Sequence, residues 1–101
     1  MTTFLFTYRA PGNYVRGTAE GVAAWFDSMG AAVVDTGKPV AESATVGNRG
    51  RDVLPLDGYS LVTADDLDAA LAMAKGCPFV SRGGGVEVGS LIDLRGTPDP
   101  A

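Results

Sequence analysis

Residues 58–71 read GYSLVTADDLDAAL and predict a short strand followed at once by a helix. Tyr59 to Val62 form the strand. We expect Thr63 to cap the helix, with Asp66 three residues later completing a variant of the capping box. The helix has one apolar stripe, which consists of Leu67, Ala70, Leu71 and Ala74. Lys75, Gly76 and Pro78 then supply the signals that end a helix.

The first part of the chain also predicts a strand followed by a helix. Aromatic residues at every second position of Thr2–Arg9 indicate a strand with Phe4, Phe6 and Tyr8 on one face. Thr18 is a good N-cap for the helix. The apolar stripe of this helix consists of Val22, Trp25, Phe26 and Met29. Gly30 stands where a left-handed glycine ends a helix.

The other segments are less regular. Ala31–Lys38 predicts a short strand that a glycine and a proline stop. In the poorly patterned region that follows, Ser43–Val46 and Asp52–Leu54 could be two short strands around a loop. Val86–Ile92 predicts the last strand, and the proline-containing tail from Gly96 is expected to be frayed.

Two β-α-β halves of this size predict an α+β fold, a ferredoxin-like βαββαβ sandwich with two helices on one face of one antiparallel sheet. We expect a single domain over residues 1–95, followed by a tail over 96–101. The helices can cover only one face, yet Leu5 and Leu61 bring apolar groups to the other. Because a bare apolar face is unusual in a soluble monomer, the pattern predicts a homodimer through the sheet faces.

Composition excludes several classes of function. The 101 residues carry 8 Lys and Arg against 12 Asp and Glu, a net charge of −4, which argues against a nucleic-acid partner. The stacking motif of RNA-recognition domains, which share the βαββαβ order, is missing. The chain has no histidine and therefore no Ser-His-Asp triad, Cys-His pair or imidazole metal ligand.

Targeting signals are also missing from the sequence. No stretch approaches the roughly 18 apolar residues of a membrane helix, so we expect no membrane partner. The N-terminus lacks the pattern of a signal peptide, which predicts a bacterial-type cytoplasmic location.

Three motifs could suggest chemistry, and each has a simpler structural interpretation. Gly83–Gly85 precede a strand rather than a helix, which favours a turn over a phosphate loop. Cys77 follows the C-terminal end of a helix, where the dipole disfavours a thiolate, so a packing thiol is expected. Asp65, Asp66 and Asp68 suit the first helical turn but do not converge on one point. We therefore expect no metal and no cofactor.

A small group of polar and aromatic residues lies at or beside predicted strand ends or in a helix stripe. Each is more often a rim, core or cross-strand residue than a ligand contact. Together they could line a pocket between sheet and helices for a small anionic or phenolic compound. These candidate ligand-binding residues are Tyr8, Arg9, Trp25, Tyr59, Arg82 and Glu87.

The second half of the chain resembles a known family. Residues 58–71 are similar to the Gly-Tyr-x-Leu-x-x-(Ala/Val)-Asp-Asp-Leu-Asp-x-Ala pattern of the YCII-related, DGPF-type family, and Gly76-Cys77-Pro78 and Gly85-Val86-Glu87-Val88 resemble its ending. The resemblance covers residues 58–92 well, whereas Met1–Tyr8 and Val33–Val40 match loosely. It implies a ferredoxin-like fold paired as a dimeric α/β barrel.

The same resemblance implies little about activity. The catalytic proposal for the family depends on a His–Asp pair, and this chain has no histidine. Cys77 stands where better-known relatives place the Asp before Pro-Tyr, and the Asp-Gly-Pro-Phe segment is missing. That pair is therefore not transferred to this chain.

Two hypotheses about function remain open. The first is a small-organic-molecule pocket, which could be enzymatic if Asp, Glu, Tyr, Cys or the ligand itself transfers protons. The second is a non-catalytic dimerising or regulatory module. An enclosed cavity with converging Arg and Tyr groups would favour the first, and a sheet–helix interior filled by Trp25, Phe26 and Met29 the second.

Overall fold

The computed structural model describes residues 1–10, 19–48, 50 and 54–98, which form four strands and three helices. The strands are β1 (Thr2–Arg9), β2 (Val33–Asp35), β3 (Leu56–Ala64) and β4 (Gly85–Ser90). The helices are α1 (Ala19–Met29), α2 (Leu67–Ala74) and α3 (Pro78–Ser81), with a 3-10 turn at Gly30–Ala32 after α1.

The strands make one antiparallel sheet in the order β2-β3-β1-β4. Strand β1 therefore lies in the interior of the sheet and pairs with β3 on one side and β4 on the other. This order confirms the predicted α+β fold, a ferredoxin-like sandwich.

Aromatic rings fill the space between the sheet and the helices. Phe4, Phe6 and Tyr8 are buried on one face of β1, as their period of two predicts. Trp25 of α1 lies 6.1 Å from the Phe6 ring and 5.9 Å from the Tyr8 ring, measured between centroids. Phe79 of α3 stacks on Tyr8 at 5.2 Å. These contacts place the helices on the Phe4–Phe6–Tyr8 face.

Helix α2 begins later than the sequence predicts. Strand β3 continues through Ala64, so the predicted cap Thr63 is a strand residue and that prediction is wrong. Asp66 is the N-cap, and its carboxylate accepts a 2.8 Å hydrogen bond from the Ala69 backbone N–H. Because β3 continues into the residues that signal the start of the helix, Thr63 pairs in the sheet and does not cap α2.

The predicted apolar stripe of α2 is only half buried against the sheet. Ala70 and Ala74 are buried, whereas Leu67 and Leu71 are 48% and 41% exposed. The buried face of the helix is therefore the row that Ala70 and Ala74 share, and the row of Leu67 and Leu71 lies toward solvent.

The chain between β2 and β3 is a loop in its described part. Ser43–Val46, which could have been a strand, has no strand pairing, and each of its residues is exposed. Residues 52 and 53 of the second possible strand lie outside the described residues, and Leu54 is not in a strand. Without an apolar face to bury, the 43–46 segment gains nothing from joining the sheet.

The last strand ends at Ser90, two residues before the predicted end. A turn follows, in which the Asp93 carboxylate accepts hydrogen bonds from the Arg95 and Thr97 backbone N–H groups. A bridge between Ile92 and Pro98 closes the turn. Gly96–Pro98, the described part of the tail that was expected to be frayed, is thus hydrogen-bonded. Residues 99–101 lie outside the described residues.

Candidate functional site

A cleft of about 410 Å³ lies at one end of the sheet face that the helices leave open. Successive residues of a strand point to opposite faces, so Arg9 faces away from the side that holds Tyr8. The cleft is lined by Arg9, Leu56 and Glu87 of the sheet and by Ser43, Ala44, Thr45 and Asn48 of the loop between β2 and β3.

Strand register brings the sheet residues of the cleft together. Arg9 is the partner of Leu56 in β3 and of Gly85 in β4, which makes one row across three strands. Glu87 lies two residues beyond Gly85 and therefore on the same face. The register of β1 and β3 shifts between Tyr8 and Arg9, and such irregularities re-aim side chains at sheet ends.

Arg9 is held from two sides. Its Nη1 donates a 3.1 Å hydrogen bond to the Leu54 carbonyl, and its Nη2 lies 3.4 Å from Glu87 Oε1. The Arg9 side chain is 27% exposed, whereas that of Glu87 is 70% exposed. The guanidinium therefore forms the fixed inner wall of the cleft, and the carboxylate forms an outer, accessible wall.

Gly85 is the β4 partner of Arg9 in the sheet register but is not part of the cleft lining. A Cβ built on Gly85 would meet no described atom within 4 Å apart from its chain neighbours. Within the cleft itself, a donor from Arg9 and an acceptor from Glu87 are adjacent.

The helix side holds a different polar group, a buried chain of hydroxyls. The Tyr8 hydroxyl donates a 2.8 Å bond to Ser60 Oγ, which donates a 2.6 Å bond to the Thr36 carbonyl. Burial raises the pKa of Tyr8 above its ordinary value, although the hydrogen bond to Ser60 acts in the opposite direction. Because its pKa is raised, the phenol stays neutral. Its ring packs against Trp25 and Phe79, and its hydroxyl makes the hydrogen bond to Ser60.

The six sequence-predicted candidates fall into separate places. Arg9 and Glu87 meet in the cleft, and Tyr8 and Trp25 meet in the aromatic interior on the other side of the sheet. Tyr59 is on the open face but is not part of the cleft lining, and Arg82 is exposed at the C-cap of α3. The described cleft thus lies on the open sheet face, whereas the sequence suggested a pocket between sheet and helices.

The structure adds residues that the sequence analysis did not select. Leu56 and the loop residues Ser43, Thr45 and Asn48 line the cleft. Their only sequence signal is a run of small and polar residues, which is typical of many surface loops. Leu56 is a cleft residue because of the strand register, which the sequence pattern alone did not fix.

Cys77 has the structural role that was predicted for it. The side chain is buried, and burial raises the pKa of the thiol. Cys77 is the N-cap residue of α3, and Pro78 follows it at the start of the helix. Within the described ranges, no three acidic or thiol side chains come close enough to share a metal ion.

None of the described helices combines the length and the hydropathy that a membrane crossing requires. The sequence matches no family model and no curated protein. Among solved structures, the chain is similar to 5-chloro-2-hydroxyhydroquinone dehydrochlorinase (TftG) from Burkholderia phenoliruptrix AC1100 in its complex with 2,5-dihydroxybenzoquinone. The similarity has a TM-score of 0.64 at 13% sequence identity and covers 94% of this chain and 98% of that chain. At this identity, the likeness shows that the two proteins share a fold.

Proposed function

We propose that this protein binds a small hydroxylated organic molecule in the cleft beside Arg9 and Glu87. The observation that carries the proposal is the convergence of a guanidinium held by the Leu54 carbonyl and an accessible carboxylate in the lining of one cleft. A volume of about 410 Å³ lies in the range of small-molecule sites, roughly 300–1,000 Å³. The neighbouring structure with this fold was determined with a small hydroxyquinone, which supports ligands of the same chemistry.

The proposal includes membership of the YCII-related family and a homodimer formed through the open sheet faces. The motifs in residues 58–92 support the family assignment. Apolar side chains on the open face support the dimer: Leu5 and Leu61 are only partly buried, and Tyr59 is exposed. A second copy on this face would also roof the cleft.

A second candidate function is a non-catalytic dimerising or regulatory module. The observation in its favour is the packed interior between sheet and helices, where Trp25 is buried and Phe26 and Met29 pack against the core. Such a module would dimerise but leave the Arg9 cleft without a ligand. The two functions therefore differ in whether the cleft binds a small molecule.

Calorimetric titration with 2,5-dihydroxybenzoquinone tests the proposal, with Arg9→Ala and Arg95→Ala as a matched pair of variants. Both substitutions remove one guanidinium, but only Arg9 lines the cleft, since Arg95 is exposed in the C-terminal turn. We expect Arg9→Ala to weaken binding at least about tenfold, because charge-assisted hydrogen bonds from arginine are strong. Arg95→Ala should bind as the wild type does.

Two results would contradict this function. One is wild-type protein that takes up none of the hydroxylated ring compounds at millimolar concentration. The other is equal weakening by Arg9→Ala and Arg95→Ala, which would indicate general charge attraction instead of a site. Circular dichroism of each variant checks that the fold is intact.

A further inference from the structure

We infer that the Arg9–Glu87 pair selects ligands that carry two adjacent oxygens, one able to accept a hydrogen bond and one bearing a hydroxyl hydrogen. Catechol-type rings and 2-hydroxy acids have this arrangement. The inference rests on the proposed function, because it concerns the same cleft, and it adds the class of ligand that the cleft accepts. It follows from the geometry of the donor, the acceptor and their surroundings.

The donor of the pair is pre-positioned. The Leu54 carbonyl holds Arg9 Nη1 at 3.1 Å, so the guanidinium keeps its place when Glu87 turns away. The bonds to Leu54 and Glu87 use two of the five N–H donors of a guanidinium. In the described part of the chain the remaining donors are left for a ligand oxygen on the cleft side.

The acceptor of the pair is available. The 3.4 Å separation of Arg9 Nη2 and Glu87 Oε1 exceeds the roughly 2.7–2.9 Å of a tight charge-assisted hydrogen bond. Glu87 is also largely exposed, and exposed ion pairs contribute little to stability. A ligand hydroxyl can therefore take a carboxylate oxygen at little cost to the fold.

Charge balance explains why both ligand groups are needed. Arg9 and Glu87 are the charged residues among the described cleft-lining residues, so the described part of the lining is neutral overall. A simple anion would gain Arg9 but meet repulsion from Glu87. A ligand with a hydroxyl next to the acceptor oxygen satisfies Glu87 as well, whereas a ligand that covers the carboxylate without offering a hydroxyl hydrogen removes part of its water and replaces it with no donor.

Spacing adds a geometric condition. In the observed arrangement Arg9 Nη2 and Glu87 Oε1 lie side by side, 3.4 Å apart, so two neighbouring ligand oxygens reach both groups with the least movement of Glu87. Oxygens on adjacent carbons meet this condition, and oxygens on alternate carbons of a ring are too far apart to make both bonds well.

The test compares three ligands of the same ring by NMR titration. Catechol has adjacent hydroxyls, resorcinol has separated hydroxyls, and 1,2-dimethoxybenzene has adjacent oxygens without a hydroxyl hydrogen. We expect the wild type to bind catechol about tenfold or more tightly than 1,2-dimethoxybenzene, with resorcinol in between. In Glu87→Ala this preference should fall to about twofold or less, and Glu87→Gln, which keeps an acceptor oxygen, should restore part of it.

The outcomes separate the inference from the function on which it rests. If catechol and 1,2-dimethoxybenzene bind in the cleft with equal affinity, or if Glu87→Ala keeps the full preference, the inference is wrong and the proposed function stands. If none of these ligands and no 2,5-dihydroxybenzoquinone binds, the proposed function fails and the inference fails with it.

Discussion

Tyr8 and Arg9 are neighbours in sequence but belong to different environments. Tyr8 lies in the aromatic interior under the helices, and Arg9 lies in the cleft on the open face. Alternation along a strand produces this separation, since successive side chains point to opposite faces. Residues that cluster near strand ends in the sequence are therefore divided between the two faces of the sheet and do not form one site.

Replacing Tyr8 with Phe removes the hydroxyl at the head of the buried hydrogen-bond chain. We expect a loss of about 1 kcal/mol in the free energy of unfolding, because Ser60 keeps its bond to Thr36 and no buried donor is orphaned. Tyr59→Phe, at a residue that is 37% exposed, should stay within about 0.5 kcal/mol of wild type. Urea denaturation measures both, and equal losses would contradict the assigned role of Tyr8.

Tyr8 also makes stability depend on pH in the alkaline range. Its pKa is raised by burial in the folded state, so the fold binds the phenolic proton more tightly than the unfolded chain does. This stabilisation is complete below about pH 10, the ordinary tyrosine pKa, and is lost as the pH rises above it. The urea midpoint of the wild type should therefore fall more steeply above about pH 10 than that of Tyr8→Phe.

At the residue scale, the sequence supported Arg9 and Glu87 as candidates but did not pair them. Their contact depends on the register of β1 and β4, which places residues 78 positions apart on one sheet face. Trp25 was predicted as a core residue with a pocket wall as the alternative, and its Nε1 donates to the Met73 carbonyl at 3.0 Å inside the core. Helical periodicity is enough to predict burial of such a residue, but not its partner.

At the element scale, the turn between α3 and β4 is fitted tightly to the end of β1. The Gly84 backbone N–H donates to the Phe79 carbonyl at 2.9 Å, and a Cβ on Gly84 would overlap the Arg9 carbonyl oxygen. Gly84, the middle glycine of the triplet, therefore serves close backbone packing, in agreement with the predicted turn.

Gly84→Ala should destabilise the protein by about 2 kcal/mol or more, because backbone atoms on both sides cannot move away cheaply. Gly89→Ala is the matched control in β4, where a Cβ would meet no described atom within 4 Å. It should be neutral or stabilising by about 0.5 kcal/mol. Thermal unfolding compares the two, and a harmless Gly84→Ala would show that this turn is not tightly packed.

Elements with strong local patterns were predicted well, and the connections between them were not. The aromatic alternation of β1 and the stripe of α1 correspond to observed elements. The start of α2 was misplaced because Thr63 and Asp66 are both good caps and only the length of β3 decides between them. The loop wall of the cleft has no periodicity from which its position could be inferred.

At the scale of the whole molecule, the proposed homodimer predicts a sedimentation mass of twice 10.4 kDa at micromolar concentration. Tyr59 is on the open face, where it pairs with Thr7 of β1, and it is 37% exposed. Tyr59→Asp should therefore weaken the dimer. Leu71→Asp, at an exposed position of α2, should leave it intact.

A single-chain mass at that concentration would contradict the dimer. Dissociation by Leu71→Asp but not by Tyr59→Asp would assign the interface to the helices.

The fold class itself was predictable from the order of elements, because two β-α-β halves leave few alternatives. The position of the cleft was not, since it depends on which face each strand end presents.

Chemical-shift mapping of the backbone amides during titration with 2,5-dihydroxybenzoquinone would show directly where a ligand binds. We predict saturable shifts at Arg9, Ala44, Leu56 and Glu87, which surround the cleft, and much smaller ones at Trp25 and Phe79 in the aromatic interior. Shifts centred on Trp25 and Phe79 would place the ligand between sheet and helices and contradict the assignment of the cleft. A spectrum that does not change in a large excess of ligand would contradict the binding function itself.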